Sequence, residues 1–203
     1  MVNCKPFVVL SAAITLDGKI GQRNKKTILS SKSDAILVGK NTIEEDDPLL
    51  TVRHVKGKNP TRIILDSHGT IKNSSQIIKT TKKIPTIIVT SELVSKKNLS
   101  RLNNLPLDVI VCGKKQVNLK KLVSILCKKG IKKILLEGGG TLNFSFLKNN
   151  LIDEIIVTLT PFVLGSENSV NLFEGTVKGT KLSSFKLKKV QKNKNEIILN
   201  YKI

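Results

Sequence analysis

A run of three glycines between an apolar segment and a helix-like segment constrains this chain more than any other sequence feature. The apolar segment ends in the carboxylate Glu137, and the residues that follow it are Gly138, Gly139, Gly140, Thr141, Leu142 and Asn143. Glycine has no Cβ, so backbone N–H groups at such a turn can approach a ligand closely. A helix start adds unpaired donors and a partial positive charge, which favour phosphate or pyrophosphate. The run predicts an anion-binding strand-to-helix turn, although a tight turn without chemistry has the same pattern.

The segments before this run alternate between strand-like and helix-like patterns. Leu119, Leu122, Val123 and Leu126 recur at helical spacing, with Gly130 just past the expected helix end. Asn41 and Thr42 can cap a short helix that carries Glu44 and Glu45 in its first turn and stops at Pro48, whereas residues 67–82 are polar and turn-like. Apolar, β-branched runs predict strands at residues 6–14, 34–39, 61–66, 85–90, 107–112 and 134–137. This alternation predicts an α/β fold with a mainly parallel sheet.

The C-terminal section has a different pattern, with strands but no convincing helices. Residues 153–160, 185–190 and 196–203 are predicted to be strands, and the last two flank a polar turn at residues 191–195. Two strands joined by a short polar turn predict an antiparallel hairpin. No repeat, linker or composition break divides the chain, so we expect residues 1–203 to form a single domain.

A formal net charge of +20 raises the hypothesis of a nucleic-acid-binding protein without catalysis. Only four of the 35 basic residues are arginine, and lysine cannot make the bidentate contacts that read bases. There is one Tyr and no Trp to stack on unpaired bases. The composition therefore argues against nucleic acid as a partner. The same positive electrostatic field would favour the binding of an anionic small substrate.

Neither the apolar runs nor the cysteines indicate a membrane protein or a metalloprotein. No apolar run approaches the roughly 18 residues that span a bilayer, and the N-terminus lacks the organisation of a signal peptide, so we expect a cytoplasmic protein. Cys4, Cys112 and Cys127 are far apart, which argues against a disulfide framework or a zinc site. Cys112 and Cys127 are expected to be small buried hydrophobes, and His54 and His68 to be solvent-facing loop residues, so no metal site is predicted.

Several motifs, taken in order, resemble the reductases of riboflavin biosynthesis. They are Leu16-Asp17-Gly18-Lys19, Val38-Gly39-x-x-Thr42, Asp46-Asp47-Pro48-Leu49-Leu50-Thr51-Val52-Arg53, Ile64-Leu65-Asp66-Ser67, the glycine run, and Asp153-Glu154 leading to Pro161-x-x-x-Gly165. The resemblance covers nearly the whole chain. It implies a dihydrofolate-reductase-like three-layer fold, a homodimer, and NADPH-dependent reduction of a ribosylamino-pyrimidine 5′-phosphate, with NADH as a possible cofactor. The zinc deaminase signature of the fused bacterial enzymes is absent from the sequence, which makes the chain similar to the archaeal and fungal reductases.

The resemblance also implies roles for individual residues. Cofactor contacts would come from Thr42, Asp46, Ser67, Gly138, Gly139, Gly140, Thr141, Leu142 and Asn143. Substrate contacts would come from Lys19, Leu50, Arg53 and Glu137. An Arg fork suits a sugar phosphate, and a carboxylate such as Glu137 suits the amino and ring N–H groups of a pyrimidine. From the residues alone, helix capping, loop termini and exposed surface charges would explain the same side chains.

The expected reaction is hydride transfer from C4 of NADPH to C1′ of the ring-opened substrate, which yields a ribitylamino product. The motifs reveal no clear proton donor, and Asp17 is an open alternative to Glu137. The alternatives are a reductase of the deaminated 5-amino-6-(5-phosphoribosylamino)uracil or another enzyme of this fold, including dihydrofolate reductase. One departure concerns the segment before residue 34, where the family has an arginine-bearing helix and this chain is about a dozen residues shorter. Arg23, Lys25 or Lys26 are conceivable substitutes for that arginine.

Overall fold

The secondary structure follows the predicted alternation closely. The structure, a computed structural model, describes residues 4–21, 28–52, 56–165, 169–176 and 184–203. In chain order the elements are β1 (Phe7–Ile14), α1 (Ile28–Ser31), β2 (Ala35–Gly39), α2 (Lys40–Asp46), β3 (Thr61–Leu65), α3 (Gln76–Lys79), β4 (Thr86–Thr90), α4 (Lys96–Asn103), β5 (Asp108–Val111), α5 (Leu119–Lys128), β6 (Lys133–Gly138), α6 (Gly140–Lys148), β7 (Glu154–Leu159), β8 (Lys186–Asn193) and β9 (Glu196–Lys202).

The described residues of Met1–Pro6 and Lys26–Leu135 form one compact unit, built on parallel strands in the order β5-β4-β3-β2. The register places Gly39 beside Leu65, and Leu65 beside Val89, so the carboxyl ends of β2, β3 and β4 share one edge. These strands are almost wholly buried, which explains why nearly all of their residues are apolar or β-branched. On α5 the predicted apolar stripe is buried, and the Asn118 side chain caps the helix by accepting from the Lys121 N–H at 3.0 Å.

The described residues of Phe7–Lys25 and Leu136–Ile203 form the second unit. In it β1 pairs in parallel with β7, β7 pairs antiparallel with β9, and β9 pairs antiparallel with β8. The mainly parallel α/β architecture with an antiparallel C-terminal hairpin is thus confirmed. Each unit contains two separate stretches of the chain, and the expectation of a single domain over 1–203 stays a prediction.

Three local predictions were wrong. The cap residue of α2 is Gly39, with Thr42 inside the helix and no acid in its first turn, because the helix continues directly from β2. The polar segment 67–82 contains the short helix α3, which buries Ile77 and Ile78. Strand β8 extends to Asn193 and leaves a tighter turn than expected, at Lys194, whose φ is +55°.

The cysteines also require a correction. Cys4 and Cys127 form a disulfide bond, with their Cα atoms 5.8 Å apart, whereas the sequence argued against any disulfide. The two residues are 123 positions apart, so their proximity depends on tertiary structure that spacing does not reveal. Cys112 is free and buried, as predicted. His68 is exposed, as predicted, and His54 lies outside the described residues.

Candidate active site

The glycine run forms the strand-to-helix turn that the sequence predicted, within the second unit. Gly138 ends β6 with φ of +84°, and Gly139 is the cap residue of α6 with φ of +49°. The first N–H bonded within the helix is that of Asn143, which donates to the Gly139 carbonyl at 3.0 Å. The N–H groups of Gly140, Thr141 and Leu142 therefore have no acceptor within the helix, and the cap offers none from a side chain.

The side chain of Asn143 lies directly against this turn. A Cβ at Gly138 would be 2.7 Å from Asn143 Oδ1, so only glycine fits there without displacement. Asn143 Nδ2 donates to the Leu172 carbonyl at 2.9 Å, which fixes the amide. Asn143 Oδ1 is buried and has no hydrogen-bond partner among the described residues. A buried acceptor without a partner is costly unless another molecule supplies the donor.

The loop at residues 169–176 packs against the flank of the first turn of α6. The Glu174 N–H donates to the Gly140 carbonyl at 3.0 Å, and a Cβ at Gly140 would be 2.4 Å from the Asn171 carbonyl oxygen. The Cα–Cβ bonds of a helix point outward and are tilted towards its N-terminus. The loop therefore packs closely beside the start of α6 and helps to fix the turn.

Lys19 is tied to the same loop. Its ammonium group donates to Asn171 Oδ1 at 2.9 Å, and its backbone N–H donates to Thr15 Oγ1 at 3.0 Å. Lys19 and Asn171 also form an antiparallel bridge. The structure thus brings the predicted substrate lysine to the loop that borders the glycine turn. Glu137, predicted to bind the substrate, lies on β6 just before Gly138 and is partly exposed.

Asp17 stabilises the loop after β1 rather than extending freely into solvent. Its carboxylate accepts from the Thr15 hydroxyl at 2.5 Å and from the backbone N–H groups of Gly165 and Leu164 at 2.9 and 3.3 Å. The Thr15 hydrogen bond is the main reason that the pKa of Asp17 lies below its ordinary value of 3.8. A carboxylate that is ionised at neutral pH and saturated with donors is a poor general acid.

In the first unit, three predicted cofactor residues follow the carboxyl ends of neighbouring strands. Thr42 is the third residue of α2, which starts where β2 ends, and Asp46 is the exposed last residue of that helix. Ser67 lies two residues beyond β3 and is partly exposed. Its carbonyl accepts from the backbone N–H and the hydroxyl of Ser91, at 3.1 and 2.9 Å. Ligands of open α/β sheets gather at such an edge, so the placement suits the predicted role.

The predicted substrate residue Leu50 has an unexpected position. Its φ is +49°, in the left-handed region, and its side chain is only 2% exposed. The side chain therefore belongs to the core of the first unit, and the segment can offer a ligand mainly its backbone. Arg53 lies outside the described residues, as do Arg23, Lys25 and Lys26.

The residues present fit the phosphates of a dinucleotide. One helix start combines two glycines in the left-handed region, a close packing of Asn143 that admits only glycine at Gly138, and three N–H groups without helical acceptors. The partial positive charge of this helix end favours an anion.

Sequence reasoning missed Asn171, Glu174 and Arg62. Lys19 and Asn171 are 152 positions apart, and no spacing pattern could join them. Arg62 is fully buried, although a basic residue in a basic chain would be assigned to the surface.

Neither a metal-binding cluster nor a membrane-spanning helix occurs among the residues that the structure describes. No cluster of three or more His, Cys, Asp or Glu side chains there could hold a metal ion. Within the same ranges, no helix has the length and apolar character needed to cross a bilayer.

Comparisons with known proteins agree over nearly the whole chain. Residues 6–199 match the family model described as the RibD C-terminal domain. The 2,5-diamino-6-ribosylamino-4(3H)-pyrimidinone 5′-phosphate reductase of Aquifex aeolicus is 34% identical over 188 residues, which is 84% of each chain. The reductase of the same name from Methanothermobacter thermautotrophicus is 35% identical over 84% of this chain and 85% of that protein.

A solved structure supports the fold. A pyrimidine reductase-like protein from Corynebacterium diphtheriae superposes with a TM-score of 0.81, covering 97% of this chain and 91% of that one at 19% identity. At that identity the likeness concerns the fold alone, and it agrees with the predicted fold class.

Proposed function

The chain belongs to the RibD C-terminal domain family, the reductases of riboflavin biosynthesis, and we propose from this that it reduces 2,5-diamino-6-ribosylamino-4(3H)-pyrimidinone 5′-phosphate to the ribitylamino form with NADPH. The observation that carries the substrate assignment is the match to two reductases of that name over 84% of this chain. The glycine turn supports an oxidoreductase that uses a dinucleotide.

The cofactor residues proposed in the second unit are Gly138, Gly139, Gly140, Thr141, Leu142 and Asn143. The N–H groups at the start of α6 would bind the phosphates, and the buried Asn143 Oδ1 would accept from a donor group of the ligand. In the first unit, Thr42, Asp46 and Ser67 would supply hydroxyl and carboxylate groups for ribose or amide groups. When bound, the reduced nicotinamide supplies the hydride for C1′ of the substrate.

The substrate residues proposed are Lys19, Leu50, Arg53 and Glu137. Lys19 would offer its positive charge to the phosphate, since Asn171 neutralises none of that charge while orienting the ammonium group. Glu137 would accept from the amino and ring N–H groups of the pyrimidine. Leu50 would act through its backbone, because its side chain is buried.

A homodimer in the cytoplasm completes the proposal. Among the described residues, every exposed large hydrophobic except Leu93 and Val111 lies in the second unit, with Phe162 and Val163 exposed by 65% and 67%. Exposed apolar side chains concentrated in this way are typical of an interaction surface. Light scattering on the purified protein would give twice the chain mass of 22.3 kDa if the dimer exists.

A steady-state assay of NADPH oxidation tests the proposed function. The diaminopyrimidinone phosphate, its deaminated counterpart and dihydrofolate are compared, each with NADPH and with NADH. The proposal expects the highest kcat/KM for the diaminopyrimidinone phosphate with NADPH. Preference for the deaminated substrate would reassign the step, and turnover of dihydrofolate alone would refute the assignment.

A further inference from the structure

Residues 47–52, termed here the clamped segment, have an unusual backbone. No helix or strand includes them, and both Asp47 and Leu50 adopt the left-handed region, with φ of +39° and +49°. Residues other than glycine rarely adopt this conformation, and they keep it only where the surrounding structure enforces it.

Three side chains from outside the segment hold its backbone. Gln76 donates to Asp47 twice, from its N–H to Oδ1 at 2.8 Å and from Nε2 to the carbonyl at 3.0 Å. Asn59 Oδ1 accepts from the Val52 N–H at 3.0 Å. Between these two anchors, Arg62 Nη1 donates to the Leu49 carbonyl at 3.3 Å, directly before the left-handed Leu50.

Arg62 is itself fixed by a complete set of acceptors. Nε and Nη2 both donate to Thr86 Oγ1, at 3.0 and 2.7 Å. Nη1 also donates to Thr80 Oγ1 at 2.7 Å, and Nη2 to the Ile77 carbonyl at 2.9 Å. Every N–H of the rigid guanidinium fork thus has an acceptor, which leaves its orientation no freedom.

All these acceptors are neutral oxygens, although Arg62 is completely buried. Burying a cation without a carboxylate is unfavourable, and an apolar side chain would avoid the cost. A buried guanidinium at this position is explained if the protein requires the fixed arrangement of its hydrogen bonds. Apart from groups of β4 and of the α3 region, the guanidinium of Arg62 donates to the clamped segment.

We propose that Arg62 is a positioning residue of the substrate site, which sets the Leu49–Leu50 backbone so that the clamped segment is preformed for the pyrimidine phosphate. This inference rests on the proposed function, in which Leu50 belongs to the substrate site. Arg62 does not touch the substrate, because its guanidinium is enclosed by the core. Its effect is transmitted through the Leu49 carbonyl.

The first test compares Arg62→Met with a matched control, Thr81→Val. The control removes a different buried hydrogen bond of the same region, from Thr81 Oγ1 to the Ile78 carbonyl, and this bond does not involve the clamped segment. We expect Arg62→Met to raise the KM for the pyrimidine phosphate by about tenfold or more, with the Kd for NADPH within about twofold. The control should leave both constants within about twofold. A parallel loss of substrate and cofactor binding, or no change in KM, would overturn the proposal.

Gln76→Ala and Asn59→Ala keep the proposal testable if Arg62→Met does not fold. Each removes one other anchor while Arg62 stays in place, and each should raise the same KM by a smaller factor; an unchanged KM in both variants refutes the clamp.

Hydrogen exchange provides a readout without activity. The Val52 amide should exchange faster in Arg62→Met or Asn59→Ala than in Thr81→Val. If the wild type reduces none of the pyrimidine phosphates, the proposed function fails, while unchanged Val52 exchange would refute the role of Arg62.

Discussion

The Lys19 ammonium group donates a hydrogen bond to the side-chain oxygen of Asn171, at 2.9 Å. This contact joins the loop after β1 to the loop that packs against the glycine turn. It holds a long, flexible cation in one orientation without cancelling its charge, since an amide is neutral. An oriented ammonium group suits a phosphate that must be bound at a fixed position.

Replacing Asn171 should therefore weaken substrate binding. We expect Asn171→Ala to raise the KM for the pyrimidine phosphate by about fivefold, since a hydrogen bond to a charged group contributes on the order of 1 kcal/mol when partly exposed. Asn171→Asp should raise it further, because a carboxylate neutralises Lys19 and repels phosphate. The matched control is Lys188→Met on the exposed strand β8, which alters net charge without touching this pair. If Lys188→Met and Asn171→Asp raised KM equally, substrate binding would depend only on the overall electrostatic field of the protein and not on the Lys19–Asn171 contact.

A comparison of Gly138 with Gly130 separates the effect of backbone conformation from the effect of steric overlap. Both have positive φ, at +84° and +87°, but a Cβ at Gly130 meets nothing within 4 Å, whereas one at Gly138 meets Asn143. Gly130→Ala should cost about 1–2 kcal/mol of unfolding free energy from backbone strain and leave NADPH affinity unchanged. Gly138→Ala should cost about 1–3 kcal/mol more from the steric overlap, and it should also reduce NADPH affinity.

Denaturant unfolding and dinucleotide titration of the two variants check this prediction. If Gly138→Ala bound NADPH as tightly as Gly130→Ala does, the glycine turn would not be the phosphate site.

The lowered pKa of Asp17 predicts a pH dependence with a defined sign. A carboxyl group whose folded pKa is depressed contributes stability above its ordinary pKa of 3.8, and that contribution is lost as the pH falls through the lowered value. The thermal stability of wild type should therefore exceed that of Asp17→Asn at neutral pH, and the difference should shrink as the pH falls below 3.8.

The same hydrogen bonds can be tested by NMR titration. Removing the Thr15 hydroxyl in Thr15→Val should raise the pKa of Asp17 towards its ordinary value, since that hydroxyl is the main cause of the shift. An unchanged Asp17 pKa in Thr15→Val would mean that the backbone donors Gly165 and Leu164 carry the effect.

The disulfide predicts that stability depends on reductant. Cys4 and Cys127 close a loop with a sequence separation of 123, and native disulfides stabilise proteins by about 2–5 kcal/mol, with the larger values for long loops. Dithiothreitol should therefore lower the unfolding free energy of wild type but not that of Cys4→Ser. Cys112→Ala, which removes the buried free thiol, should keep the response to reductant. A wild type indifferent to reductant would show that the bond does not form in solution.

The elements that the sequence predicted well are those with a strong local pattern. Buried parallel strands such as β2 and β4 have continuous apolar or β-branched sequences, and α5 has apolar residues at helical spacing with a polar cap. The glycine turn was also predictable, because three successive glycines weaken both strand and helix and readily adopt the positive φ that a tight turn requires. These signals depend on neighbouring residues only.

What could not be predicted depends on partners distant in sequence. The Lys19–Asn171 contact, the Cys4–Cys127 bond and the buried position of Arg62 each require knowledge of which segments meet. The buried side chain of Leu50 and its left-handed backbone are likewise imposed by the surrounding core. From the local sequence alone, Leu50 would be expected to have an ordinary backbone conformation, and Arg62 would be expected to lie on the surface.

Reduction of the substrate at C1′ by NADPH can be tested by following the hydride itself. NADPH deuterated at C4 of the nicotinamide, on one face or the other, is oxidised by the enzyme with the diaminopyrimidinone phosphate, and the product is analysed by mass spectrometry and NMR. We expect one of the two labelled forms to deliver deuterium to C1′ of a ribitylamino product. A product without label at C1′ from either form, or no oxidation of NADPH at all, would refute the proposed hydride transfer.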